Sequence, residues 1–154
     1  EYKVDQVIVA VAESCSLLET LDLSDCVDAI SDVSVFAIAT HCERLRHLNV
    51  RGTYGVTDES IQCVAERCKQ LVFLNVSNTH GAVTDSAIAA VANECGQLAY
   101  LDVSSTFGAV TDRSIQAVAE HCKKLKYLDV SYTWSAVTDV SIATIDNGCQ
   151  VART

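Results

Sequence analysis

The chain has 154 residues, 49% apolar and 20% charged, which is enough to bury a sizeable core. Its formal charge of −9 argues against nucleic acid as a partner, because tracking a phosphate backbone wants a basic stripe. The longest apolar run near the start, Val7–Ala12, is too short to span a bilayer and has no basic flank or cleavage site, so a membrane is not expected either.

The chain opens inside a helix. Ile8, Val11, Ala12 and Cys15 match Ile61, Val64, Ala65 and Cys68 further on, so residues 1–17 read as the helical half of a repeat. Full units then start at Leu18, Leu45, Leu71, Leu98 and Leu125, with a period of 26 or 27 residues. A fixed period of this size means a solenoid, in which each unit is one supersecondary motif buried by its neighbours. The whole reads as a single domain over 1–154 and as a piece of a longer array, since no polar capping unit is visible at either end.

Within each unit the first part, L-x-x-L-x-[LV], alternates apolar and polar residues, the pattern of a strand with one face buried. Leu98, Leu101 and Val103 are one such set. The second part is V-T-D-x-[SA]-I-x-x-V-A-x-x-C, and Ile115, Val118, Ala119 and Cys122 fall at i, i+3, i+4 and i+7, one stripe of a helix. Thr or Ser followed by Asp opens each helix: Ser31–Asp32, Thr57–Asp58, Thr84–Asp85, Thr111–Asp112 and Thr138–Asp139. These side chains suit orphan N–H groups and the positive end of the helix dipole. A column of aspartates from Asp5 to Asp139 also makes an acidic rim that could steer basic partners. The last helix is expected over Asp139–Cys149, giving five strands in one parallel sheet inside the curve and helices outside it.

The pattern L-x-x-L-x-[LV]-x-x-[CT], then [IV]-[TS]-D, then a terminal Cys, resembles the cysteine-containing leucine-rich repeats of the ribonuclease-inhibitor-like superfamily. Those repeats occur in F-box/leucine-rich-repeat substrate receptors and mitotic-exit-antagonist-like proteins. The resemblance implies an α/β right-handed solenoid, a horseshoe arc with a parallel sheet on the concave face and helices on the convex face. It also implies an intracellular binding module, with substrate recognition for an SCF-type ubiquitin ligase as the finer reading. At the ninth position Cys26 fits the family pattern, while Thr53, Thr79, Thr106 and Thr133 replace it.

Chemistry-bearing residues form ladders and no convergent site. Cys15, Cys42, Cys68, Cys95, Cys122 and Cys149 share one column at the helix ends and read as buried thiols rather than as disulfide partners. No C-x2-C pair offers a zinc site, and no histidine has a nucleophile and an orienting group in a repeat-breaking insertion, so neither a metal, a cofactor nor an enzyme is expected. The sequon at Asn75 lies in an expected strand and reads as chance. Two columns are surplus to the core. Outward strand positions run Thr20, His47, Phe73, Tyr100, Tyr127, beside Asp22, Asn49, Asn75, Asp102, Asp129 and then Ser24, Arg51, Ser77, Ser104, Ser131. A loop column runs Tyr54, His80, Phe107, Trp134. Rings beside small polar groups suit a protein-binding face, although a cross-strand ladder would also stabilise a sheet. The expected partner-binding residues are His47, Arg51, Phe73, Tyr100, Asp102, Tyr127, Asp129, Phe107 and Trp134, toward a protein with basic character. The alternative is a scaffold segment that associates end to end.

Overall fold

The computed structural model describes residues 3–145 and 148–154. Strands and helices alternate along the chain: α1 (Lys3–Ser14), β1 (Thr20–Asp22), α2 (Asp32–His41), β2 (His47–Asn49), α3 (Asp58–Arg67), β3 (Phe73–Asn75), α4 (Asp85–Glu94), β4 (Tyr100–Asp102), α5 (Asp112–His121), β5 (Tyr127–Asp129), α6 (Asp139–Ile142) and β6 (Gln150–Ala152). The strands form one parallel sheet in chain order, β1 to β6, and neighbouring repeats pair without slippage: Leu48 opposite Leu74, Leu74 opposite Leu101, Leu101 opposite Leu128. The result is a right-handed solenoid with the sheet on its concave side and the helices on its convex side.

Alternation sets which residues fill the core. Leu48, Leu74, Leu101 and Leu128 point inward and are fully buried, as are Ile61, Ile88 and Ile115 from the helix stripes. Each such side chain contributes about 1.5–3 kcal/mol of transfer free energy. The first unit is looser: Leu18 and Leu21 are only partly buried, because β1 has a neighbour on one side.

Two polar ladders tie repeat to repeat. Asp58 accepts from the Thr84 backbone N–H (2.7 Å) and hydroxyl (2.6 Å), and Asp85 does the same with Thr111 (2.8 and 2.6 Å). Each of these threonines also caps its own helix, accepting from the N–H two residues on. The aspartate column is therefore not a free acidic rim: its carboxylates are engaged by the next repeat, which the sequence reading assigned to dipole complementation or steering. Burial alone would raise the Asp85 carboxyl, but hydrogen bonds from Ser114 and Thr111 outweigh it and hold the group below the ordinary carboxylate value. Bonds from Ser141 and Thr138 likewise lower Asp112.

The cysteine column makes the second ladder at the other end of the helices. The thiols of Cys42, Cys68, Cys95 and Cys122 are buried and reach back to carbonyls of the preceding repeat, as in Cys42 to Cys15 (3.4 Å) and Cys95 to Ala65 (3.9 Å). Burial pushes the Cys68 and Cys95 thiols up to about 12. None of the eight cysteines is in a disulfide. In the strand-end column the hydroxyls of Thr53, Thr79, Thr106 and Thr133 donate to the carbonyl three residues back, at 2.6–3.1 Å, so threonine does serve the loop backbone.

The C-terminal end departs from expectation. Among the described residues there are six strands, not five, and the last helix stops at Ile142 instead of running to Cys149; Asp146 and Asn147 of that expected span lie outside the described residues. With only one helical turn to complete, the chain returns to the sheet early. Gln150 pairs with Tyr127, and Val151 stands opposite Leu128 against the core. The short return also takes Cys149 out of the buried column and places it beside a strand.

Candidate partner-binding site

The concave rings are set by strand register. His47, Phe73, Tyr100 and Tyr127 are successive register partners on β2 to β5. Phe73 and Tyr100 stack with centroids 4.2 Å apart and planes 14° from parallel, and Tyr100 and Tyr127 stack at 4.7 Å and 10°. His47 is looser, 6.0 Å from Phe73 at 32°. A shallow depression of about 200 Å³ lies at that looser end, lined by Thr20, Asp22, His47, Asn49 and Phe73. Burial pushes the Tyr100 hydroxyl up to about 12, with the charges of Asp102 and Asp129 adding to it. Tyr127 is raised for the same reasons, burial first and then Asp129.

The polar column beside the rings closes each strand. Asn75, Asp102 and Asp129 accept through one side-chain oxygen from the N–H two residues on, at 2.9 Å in each case. Asp102 is only 9% exposed, and burial lifts its carboxyl above the ordinary value against the Ser104 hydrogen bonds. Asn75 is 7% exposed and its amide donates to Asp102 at 3.0 Å, which leaves no room for a glycan at the sequon. Arg51 is exposed at the edge of this column and pairs with Asp25 at 3.3 Å.

The loop rings are held differently. In the last three full units the sequence between the strand-end Thr and the helix carries one more residue than in the Leu45 unit. The extra residue makes a two-residue turn with positive φ at both positions: His80–Gly81, Phe107–Gly108 and Trp134–Ser135. Each is closed by a bond from the following Ala N–H to the Thr carbonyl, 3.0–3.1 Å, the geometry of a type I′ turn. That conformation favours Gly or Asn and is unfavourable for a bulky side chain. The aromatic side chains that result meet at 3.9 Å (Tyr54–His80), 5.4 Å (His80–Phe107) and 5.2 Å (Phe107–Trp134), the last two edge to face.

Of the nine residues singled out from sequence, His47, Phe73, Tyr100, Tyr127, Asp102 and Asp129 share the sheet face, Phe107 and Trp134 share the loop edge, and Arg51 lies at the end of β2. Sequence reasoning passed over Tyr132, which is 63% exposed next to Trp134 at 70%. Its column otherwise holds Asp25, Gly52, Asn78 and Ser105, all with positive φ, so a tyrosine among small turn-forming residues was a readable signal. Tyr132, Trp134 and Arg153 line a cleft of about 490 Å³. Among the described residues no group of His, Cys, Asp and Glu could hold a metal ion, and no helix is long and apolar enough to cross a membrane.

A leucine-rich-repeat family model matches residues 14–39, which cover most of the unit that starts at Leu18. Six in-register strands among the described residues, with helices on one side, agree with that match. The fold is a leucine-rich-repeat solenoid. A chain from the Rad7 and Elc1 complex in yeast is similar in structure, with a TM-score of 0.62 and 20% identity over 96% of this chain and 43% of that one. Leiomodin-1 actin-binding site 2 is similar with a TM-score of 0.69 and 12% identity, over 94% of this chain and 86% of that one. The chain thus spans less than half the length of the yeast chain. No curated protein matches it in sequence.

Proposed function

We propose that this leucine-rich-repeat array binds a partner protein through its concave sheet face and the adjoining aromatic loop edge. The observation that carries the reading is Trp134: a large ring, 70% exposed, on a backbone conformation that costs a bulky residue free energy. Folding gains little from such a ring, whereas interfaces draw much of their energy from exposed aromatics that become buried. The two similar structures named above are each associated by name with another protein, Elc1 in one case and actin in the other. The finer reading, substrate recognition for an SCF-type ubiquitin ligase, is supported by the resemblance of the repeats to those of F-box/leucine-rich-repeat receptors.

Photocrosslinking in cells tests the side of the solenoid. A benzophenone amino acid at Trp134 or Tyr127 is expected to capture a specific protein, and the same group at Gln116 on the exposed helix face is not. Capture from Gln116 alone would put the interface on the convex side. A second reading, a scaffold segment within a larger assembly, is favoured by the outer face of α1, where Val7 is exposed in an apolar depression lined by Ala10, Val11 and Cys15. Concentration-dependent sedimentation that Val7→Glu abolishes would support it.

A further inference from the structure

The polar column of the concave face is not uniform. It runs Asp22, Asn49, Asn75, Asp102, Asp129. Asp or Asn serves the strand-end turn equally, since both present the oxygen that accepts from the N–H two residues on. Laterally, amides separate carboxylates: Asn49 donates to Asp22 at 3.1 Å and Asn75 to Asp102 at 3.0 Å. Asp102 and Asp129 break this rule. They are register partners on paired strands, roughly 4.8 Å apart, and no amide lies between them. On the far side Asp129 stands opposite Ala152, which brings no side-chain donor. None of the ion pairs among the described residues reaches either carboxylate. The outer oxygen of Asp129 accepts only a long bond from the neutral Tyr127 hydroxyl, at 3.3 Å, so two carboxylates stand side by side in a half-buried site with no cation between them.

The rings narrow the complementary chemistry. Phe73, Tyr100 and Tyr127 cover each other's faces by stacking, so the strip turns ring edges toward a partner. Ring edges are electropositive and a cation prefers faces, so the strip itself does not recruit positive charge. The carboxylate pair does. A guanidinium fork spans two acceptors in one plane, which an ammonium point charge does not.

We infer that the concave face reads an arginine side chain of its partner protein, the guanidinium bridging Asp102 and Asp129 and the stem lying along the edges of Tyr100 and Tyr127. This deepens the binding function proposed above and rests on it. The raised carboxyl of Asp102, due to burial and then to the charge of Asp129, is in keeping with a pair that lacks its counter-charge in the free chain.

The test uses the whole chain, isotopically labelled, titrated at low salt with acetyl-Ala-Arg-Ala-amide and with its lysine and citrulline counterparts. The Ser104 and Ser131 amides report directly, because their N–H groups bond the two carboxylates. The arginine peptide is expected to shift both amides saturably, and at roughly fivefold lower concentration than the neutral isostere, as a charge-assisted pair predicts. Asp129→Asn should abolish the response and raise Tm by about 1–3 °C, because it removes a like-charge contact. Asp22→Asn carries the same charge change and should leave the response intact. The inference is overturned if the lysine peptide matches the arginine peptide, if Asp129→Asn responds normally or lowers Tm, or if no shift is seen at ~10 mM peptide, above the millimolar Kd of even a weak contact. Any of those outcomes leaves crosslinking from Trp134 and Tyr127 unaffected, so the broader binding reading is judged separately.

Discussion

The two aromatic ladders run side by side and are built on opposite terms. On the sheet, Phe73, Tyr100 and Tyr127 lie on β-strands and stack nearly parallel, half-buried. On the loop edge, His80, Phe107 and Trp134 sit in left-handed backbone conformations, meet edge to face and stand exposed. The first ladder satisfies the fold at every position. The second is maintained at a conformational cost, in keeping with the binding edge proposed above. Register alone aligns both, so alignment does not distinguish a stabilising ladder from a displayed one. Ring orientation and backbone conformation do.

The largest expected effect that sharpens this contrast is on stability. Tyr100→Ala loses a ring stacked on both sides and should destabilise the chain by about 2–3 kcal/mol in urea unfolding. Tyr100→Phe, which keeps the stack, should cost about 0.5 kcal/mol or less. A mild Tyr100→Ala effect would mean that the inner ladder is not structural, and the contrast would collapse. Trp134→Ala should do the reverse, changing stability by less than ~1 kcal/mol and weakening the crosslinked partner's affinity by about 2 kcal/mol. Calorimetric titration with that partner checks it.

Smaller still is the strain of the turn itself. Ser135 has φ of 60° where the two preceding units have Gly81 and Gly108. Ser135→Gly is expected to stabilise by about 1 kcal/mol, seen as a higher urea midpoint with an unchanged slope. A neutral or destabilising result would show that the loop carries no strain at this position. The last effect is on titration. The Tyr100 hydroxyl is raised from 10.0 to about 12, so the folded chain holds that proton more tightly than the unfolded chain. Its contribution to stability is complete below pH 10.0 and is lost as pH rises toward 12. Ultraviolet titration of wild type against Tyr100→Phe should show the missing tyrosinate only near the top of that window; a full one-tyrosinate difference already developing around pH 10.0 would remove the charged, half-buried setting assigned to the inner ladder.

Much of this molecule was readable before any coordinates. The Leu48, Leu74, Leu101 and Leu128 column, the helix stripes and both aromatic columns follow from a period of 26 or 27 residues, because a repeat places equivalent residues in register. What the period could not convey was hydrogen bonding between units. That Asp85 serves Thr111 of the next repeat, and not its own helix alone, depends on how far one unit is displaced from another. The sixth strand escaped because α6 shortens and breaks the period. Ring angles were hidden for a different reason: Tyr100 on a strand and Phe107 in a turn are both merely aromatic as letters, and only φ separates them. The extra residue in the THGAV, TFGAV and TWSAV loops was present in the sequence as the one hint of that turn.

The hydrogen bonds of the Asp–Thr and Cys ladders run one way. The later unit donates, through the Thr hydroxyl at one end of its helix and the Cys thiol at the other, and the earlier unit accepts, through Asp and a helix-end carbonyl. Every junction therefore has a plug and a socket, in the same order. Excising one unit, residues 98–124, would present the Asp85 socket to the Thr138 plug in place of Thr111, the residue it now holds. Duplicating that unit would add a junction of the kind already there. The chain is in this sense a directional polymer of interchangeable segments, and its length can be edited in whole units without redesigning any interface.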